Sequence, residues 1–90
     1  MNEKTTGLTP EMLESLRNRI SEIDLDIMEL LETRVAIAKQ IGLWKKENNL
    51  PIYAPEVEAR KIRFLSSSCE YPGMVEAIWP VIMCYTRTAE

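Results

Sequence analysis

Two basic side chains, Arg34 and Lys45, interrupt the apolar face in the first half of the chain. Arg34 falls where heptad spacing asks for an apolar side chain, and Lys45 follows eleven residues later. Eleven residues are about three helical turns, so the two cations lie on nearly the same face. The small Ala38 and the apolar Ile41 stand between them. This pattern favours either a pocket for an anion or a structural ion pair with a glutamate.

Arg17 borders the same face, but it precedes Arg34 by about 25 Å of helix. Within one chain the two arginines therefore cannot share a pocket. An antiparallel pair of chains would bring Arg17 of one subunit to the Arg34 region of the other and create two equivalent composite sites. Taken alone, an arginine in this position is more often a solvated surface residue.

The residue types exclude several kinds of chemistry. The chain has 90 residues, two cysteines and no histidine. It cannot build a four-ligand zinc site or a disulfide framework, and it lacks the commonest general base. We therefore expect a site that uses neither a metal ion nor a cofactor.

Composition also limits the partners and the location of the chain. A net charge of -3 argues against nucleic acid, whose binding depends on a basic surface. No apolar run approaches the roughly 20 residues that span a bilayer. Residues 1–7 lack the basic cluster and apolar stretch of an export signal. We expect a cytoplasmic protein that binds neither nucleic acid nor membranes.

Helix start signals predict an all-α fold. Thr9 followed by Pro10 is typical of a helix N-cap with proline at the first helical position, and Pro55 suits a second helix start after a loop. Pro80 lies inside the third predicted helix, where it cannot donate to a carbonyl one turn earlier. The sequence predicts one long and two shorter helices in a single domain over 1–90, with residues 1–8 disordered. The predicted helices cover about 10–47, 55–66 and 73–89.

The long helix carries a row of apolar residues at heptad-like spacing, which we call the apolar stripe. Its members are Leu13, Leu16, Ile20, Ile23, Ile27, Leu30, Ile37, Ile41 and Trp44. A helix of about 38 residues is ~57 Å long, whereas a compact domain of this size has a radius of gyration near ~12 Å. The rest of one chain cannot cover the stripe. We therefore expect an intertwined helical homodimer.

A set of spaced residues carries a resemblance to a known family. They are Leu16-Arg17, Ile20 through Asp24, Arg34, Gly42 with Lys45, the proline loop and Glu58. Together they resemble the all-α chorismate mutases over roughly residues 10–90. The resemblance implies an intertwined dimer with three helices per chain and the rearrangement of chorismate, a small dicarboxylate, to prephenate on the way to phenylalanine and tyrosine.

The resemblance also implies roles for individual side chains. Arg34, with Arg17 donated across the dimer interface, would bind the two substrate carboxylates, and Lys45 would donate to the breaking ether oxygen. Glu58 would accept from the ring hydroxyl, and Thr86 and Glu90 would close the site. Without the resemblance, Glu58 reads as a solvated glutamate favoured by the helix dipole, and Thr86 and Glu90 read as surface residues.

The chain departs from the family pattern in the stretch PIYAPEVEAR. Family members commonly carry aspartate in place of Ala54 and arginine in place of Val57. Ala54 gives up an N-cap, and Val57 removes a cation. A hypothesis is that Arg60, about one helical turn away, replaces that cation. An Ala-Pro-Glu loop also occurs in isochorismate-pyruvate lyases, which share the fold and form salicylate.

Glu90 is the other departure, because the mutases usually carry a glutamine that donates to the ether oxygen. A carboxylate only accepts, and at ~4 Å it would oppose the developing negative charge by about 4 kcal/mol at an effective dielectric near 20. This predicts an activity that rises as the pH falls. We interpret the chain as a chorismate mutase of low activity. The alternatives are an isochorismate-pyruvate lyase and a helical dimer that kept its scaffold but lost its chemistry.

Overall fold

The chain folds into three α-helices. The structure, a computed structural model, describes residues 5–90, and no strand occurs in that part of the chain. Its helices are α1 (Pro10–Glu47), α2 (Pro55–Ser68) and α3 (Pro72–Ala89). The predicted all-α fold with one long and two shorter helices is thus confirmed.

The helix bounds differ slightly from the predicted ones at two places. The second helix ends two residues later than predicted, at Ser68, and the third begins one residue earlier, at Pro72. The third helix continues past Pro80 to Ala89. Of the segment predicted to be disordered, residues 1–4 lie outside the described part of the chain, and residues 5–8 belong to no helix.

Residues 5–32 contain the first part of α1 and the segment before it. The helix begins as the sequence predicts: the Thr9 hydroxyl accepts from the Met12 amide at 3.1 Å, and the Thr9 carbonyl accepts from the Leu13 amide at 2.9 Å. Every residue from 5 to 32 is exposed. Ile20 and Leu30, members of the apolar stripe, are 58% and 70% exposed. Nothing within this unit covers the stripe.

Residues 33–90 form the second unit, which holds the rest of α1 together with α2 and α3. Here α2 packs against α3. The core of this unit is small and consists of Ala38, Val75 and Met83, beside the buried polar Thr86. None of the three helices is both long enough and apolar enough to cross a membrane over the described residues.

The start of α2 lacks a side-chain cap. Ala54 occupies the N-cap position without a side-chain hydrogen bond, and only its backbone carbonyl takes part, accepting from the Val57 and Glu58 amides at 3.1 Å each. The orphan amides of a first helical turn are normally satisfied by a serine, threonine, aspartate or asparagine at this position. Here α2 begins with one stabilising group fewer than α1.

Replacing Ala54 by serine is expected to raise the free energy of unfolding by about 1 kcal/mol, because the serine hydroxyl can accept from the first-turn amides. Urea unfolding at a fixed protein concentration measures the change. Ala59→Ser, at an exposed position inside α2, is the matched control and should be neutral or slightly destabilising. An Ala54→Ser midpoint equal to that of the wild type would contradict the interpretation.

Candidate active site

A cavity of about 450 Å³ opens within the unit formed by residues 33–90. Its polar lining comes from different elements: Arg34 and Lys45 from α1, Glu58 and Lys61 from α2, Thr86 from α3, and Glu90 just after α3. Apolar side chains, among them Ile37, Ile41, Val57 and Met83, complete the wall. Three cations and a mainly apolar wall suit a small anionic ligand with an apolar body.

A hydrogen bond to a residue of α3 holds the Arg34 side chain in place. Its Nη1 donates to the Thr86 hydroxyl at 2.6 Å, and that hydroxyl donates to the Ile82 carbonyl, also at 2.6 Å. Thr86 is buried, and its hydroxyl finds both of these partners within the protein, as a buried polar group normally does. A guanidinium carries five N–H donors, and the bond to Thr86 engages one of them. The planar fork is thereby oriented while donors remain for a carboxylate.

Lys45 is held by two acceptors. Its Nζ donates to the Ile52 carbonyl at 2.7 Å and to Glu90 Oε1 at 3.2 Å. The Lys45 and Glu90 side chains are 18% and 13% exposed. An ammonium has three N–H donors, so one is left for a ligand in the cavity. Sequence reasoning did not find Ile52, because a backbone carbonyl carries no sequence signal.

Gly42 allows Glu90 to reach Lys45. This glycine is buried in α1, and a Cβ added to it would lie 2.6 Å from the Glu90 carbonyl oxygen and 2.7 Å from the Glu90 Cα. Such distances are far below van der Waals contact, so any larger residue at this position would displace the Glu90 backbone. The sequence signal was a lone glycine within a helical pattern, which indicates a close packing contact.

Glu58 is held by a side chain that sequence reasoning missed. Nε of Arg87 donates to Glu58 Oε2 at 3.0 Å, and the two side chains are 28% and 25% exposed. The Arg87 guanidinium also lies over the Tyr53 ring, with its Cζ 4.2 Å from the ring centroid. The sequence feature that could have pointed to Arg87 is that it is the sole basic residue of α3 and directly follows Thr86.

The structure therefore brings five of the six residues predicted for the site to one cavity. They are Arg34, Lys45, Glu58, Thr86 and Glu90. The sixth, Arg17, lies among the exposed residues 5–32 of α1, outside this unit. Its predicted donation from a second subunit stays a prediction.

Lys61, and not Arg60, is the cation of α2 that lines the cavity together with Val57. Val57 lines the cavity, but Arg60 is exposed and is not part of the lining. Lys61, four residues after Val57 and thus on the same helix face, does line the cavity.

Comparison with known proteins identifies the family. The model of the family described as chorismate mutase type II matches residues 16–90, which is most of the chain. The chain belongs to the type II chorismate mutase family. Membership agrees with the all-α fold and with the resemblance seen in the sequence.

Three curated proteins show the similarity of this chain to known relatives. A bifunctional chorismate mutase/prephenate dehydratase of Aquifex aeolicus is 48% identical over 53% of this chain and 13% of its own length. T-proteins of Haemophilus influenzae and Enterobacter agglomerans are 33% and 29% identical, over 71% and 87% of this chain but 17% and 22% of their own lengths. This chain thus spans less than a quarter of each of these relatives. No solved structure matches it.

Proposed function

We propose that the chain catalyses the rearrangement of chorismate to prephenate, in a site completed by a second copy of the chain. The observation that supports this most directly is the cavity in which Arg34 and Lys45 of α1 face Glu58, Thr86 and Glu90 from other elements. A pericyclic rearrangement needs no nucleophile, metal ion or proton transfer. It needs a substrate held in its compact shape and fixed donors for the charge that develops on the ether oxygen.

Substrate carboxylates are the groups that the cations would bind. Arg34, oriented by Thr86 at 2.6 Å, offers a planar pair of donors that matches a carboxylate. Arg17 of the second subunit would bind the other carboxylate. Lys61 adds a third cation to the lining, on the helix face where Val57 leaves none. The Ile37 and Ile41 side chains would pack against the apolar body of the substrate and favour its compact conformer.

Lys45 and Glu58 would complete the arrangement. Two of the three Lys45 donors are engaged by Ile52 and Glu90, so the ammonium is preorganised and can direct its third donor at the ether oxygen. Glu58, with Oε2 engaged by Arg87, would accept from the ring hydroxyl through its other oxygen. These roles follow from the family resemblance and from where the side chains lie.

A homodimer is the second part of the proposal. The apolar stripe is exposed over the described part of α1, as Ile23 at 55% and Trp44 at 56% illustrate. Fully burying an exposed apolar side chain of this size is worth roughly 1.5–3 kcal/mol, so each of these half-exposed side chains would gain about half of that in a dimer. A second long helix packed along the stripe supplies that burial and places a foreign Arg17 near Arg34.

Two assays with purified protein test the proposed activity. Loss of chorismate absorbance in the ultraviolet, with prephenate as product, is the expected result. Conversion of isochorismate to fluorescent salicylate would favour the lyase. The lyase is the second candidate because Ala54 and Val57, which line the cavity, carry no polar group. No activity in either assay would support the third interpretation, a helical dimer that is not an enzyme. The cytoplasmic location stays a prediction that cell fractionation can check.

Glu90→Gln is expected to raise kcat at neutral pH by about tenfold, because the glutamine Nε2 can donate to the ether oxygen, whereas its Oε1 can still accept from Lys45 as the carboxylate does at 3.2 Å. Steady-state kinetics on the wild type and the variant at one neutral pH measures the difference. A variant whose kcat equals or falls below that of the wild type would contradict this role. Glu56→Gln, at an exposed position outside the lining, is the control.

A further inference from the structure

We propose that Arg87 is a positioning residue that holds Glu58 in the orientation needed to accept from the ring hydroxyl of the substrate. This inference rests on the proposed function and deepens it. Arg87 is not part of the cavity lining, whereas its neighbour Thr86 and its partner Glu58 are. It therefore acts on the ligand through Glu58 and not by contact.

Arg87 makes a hydrogen bond to one of the two carboxylate oxygens of Glu58. Nε of Arg87 lies 3.0 Å from Glu58 Oε2, a charge-assisted hydrogen bond between α3 and α2. The bond engages Oε2 and leaves Oε1 as an acceptor for a hydroxyl in the cavity. A glutamate side chain has several rotatable bonds, and without such a partner it would sample many orientations in the first turn of α2.

Tyr53 in turn orients Arg87. The guanidinium Cζ lies 4.2 Å from the centroid of the Tyr53 ring, within the range of a cation–π contact. Tyr53 directly precedes Ala54, the residue at the N-cap of α2. Arg87 thus joins the loop before α2, the first turn of α2 and the last turn of α3, which are the elements that surround Glu58.

The ion pair between Arg87 and Glu58 also affects the balance of charge in the cavity. Three cations, Arg34, Lys45 and Lys61, line the cavity together with Glu58. A free carboxylate among them would pair with one of these cations and compete with the substrate carboxylates. Arg87 supplies a cation outside the lining, so that Glu58 is neutralised without occupying a substrate-binding group. Consecutive residues of α3 therefore have paired tasks: Thr86 orients Arg34, and Arg87 orients Glu58.

A double-mutant cycle on the full chain tests the inference. Arg87→Met is expected to lower kcat/KM for chorismate by about tenfold, because Glu58 loses its fixed orientation. In a Glu58→Ala background the same Arg87→Met change should have almost no further effect. A purely structural role would cost the same factor in both backgrounds and would overturn the proposal.

Two more variants keep the test decisive. Arg87→Lys should recover part of the activity, since it keeps the charge but loses the planar fork and much of the ring stacking. Tyr53→Leu should lower activity in the same direction as Arg87→Met, by a smaller factor, and it serves in place of that variant if Arg87→Met fails to fold. Arg63→Met, an exposed arginine of α2 outside the lining, is the control and should match the wild type.

Failure of this inference is distinct from failure of the proposed function. A wild-type protein that does not convert chorismate removes both. An active wild type with an equally active Arg87→Met variant removes the role of Arg87 alone. An active wild type whose Arg87→Met variant loses activity only when Glu58 is present supports both.

Discussion

Replacing Lys45 by methionine is expected to lower kcat/KM for chorismate by about a thousandfold. The ammonium is the group proposed to donate to the ether oxygen, and loss of one preorganised donor to a developing oxyanion costs about a hundredfold to a thousandfold. Two acceptors, the Ile52 carbonyl and Glu90 Oε1, hold Lys45 in place, so no other cation can take over its position without rearrangement. Methionine keeps the length and packing of the side chain and removes only the charge and its donors.

Lys46→Met is the matched control for that variant. Lys46 is the next residue in the same turn of α1, and it is exposed and outside the cavity lining. Its activity should equal that of the wild type. Steady-state kinetics on both variants, with circular dichroism to confirm that both are folded, makes the comparison. A Lys45→Met variant that keeps more than about a tenth of wild-type kcat/KM would exclude Lys45 as the principal donor.

Arg17→Ala and Arg34→Ala are each expected to lower kcat/KM by about a hundredfold, and an equal mixture of the two variants should regain activity. Hydrogen bonds to charged groups contribute about 1.5–3 kcal/mol, which corresponds to losses of this size. If each site takes Arg34 from one subunit and Arg17 from the other, a heterodimer of the two variants contains one intact and one doubly damaged site. Random pairing then restores about a quarter of wild-type activity.

Mixing requires exchange of subunits, so both variants are unfolded together in urea and refolded. Each variant carried alone through the same procedure is the control and should stay at its low activity. Native mass spectrometry reports whether heterodimers have formed. Heterodimers without recovered activity would show that Arg17 acts within its own chain or not at all, and a monomer in solution would remove the composite site altogether.

Much of the fold could be predicted from the sequence, because helix starts and helix faces are local properties. Thr9 and Pro10 form the cap and first turn of α1, as the structure confirms, and Pro55 opens α2. The inward cations Arg34 and Lys45 were visible as interruptions of an apolar pattern whose period is that of a helix. Local hydrogen bonding and a repeating spacing determine these features without reference to the rest of the chain.

Part of the site was found through resemblance and not through any local pattern. Glu58 and Thr86 each have the ordinary interpretation of a surface residue when their neighbours in sequence alone are considered. The structure places both in the lining of one cavity with Arg34. Their partners are distant in sequence: Thr86 bonds to Arg34 across 52 residues, and Glu58 bonds to Arg87 across 29.

Residues within a few turns of one another were enough to predict three helices, their starting points and a pair of cations on one helix face. Three contacts could be known from the folded chain alone: Arg87 donates to Glu58, Lys45 donates to the Ile52 carbonyl, and Gly42 leaves room for the backbone of Glu90. These contacts join segments whose relative placement results from the packing of whole helices. A hydrogen bond is lost over a shift of about 1 Å, so no spacing rule along the chain can specify it.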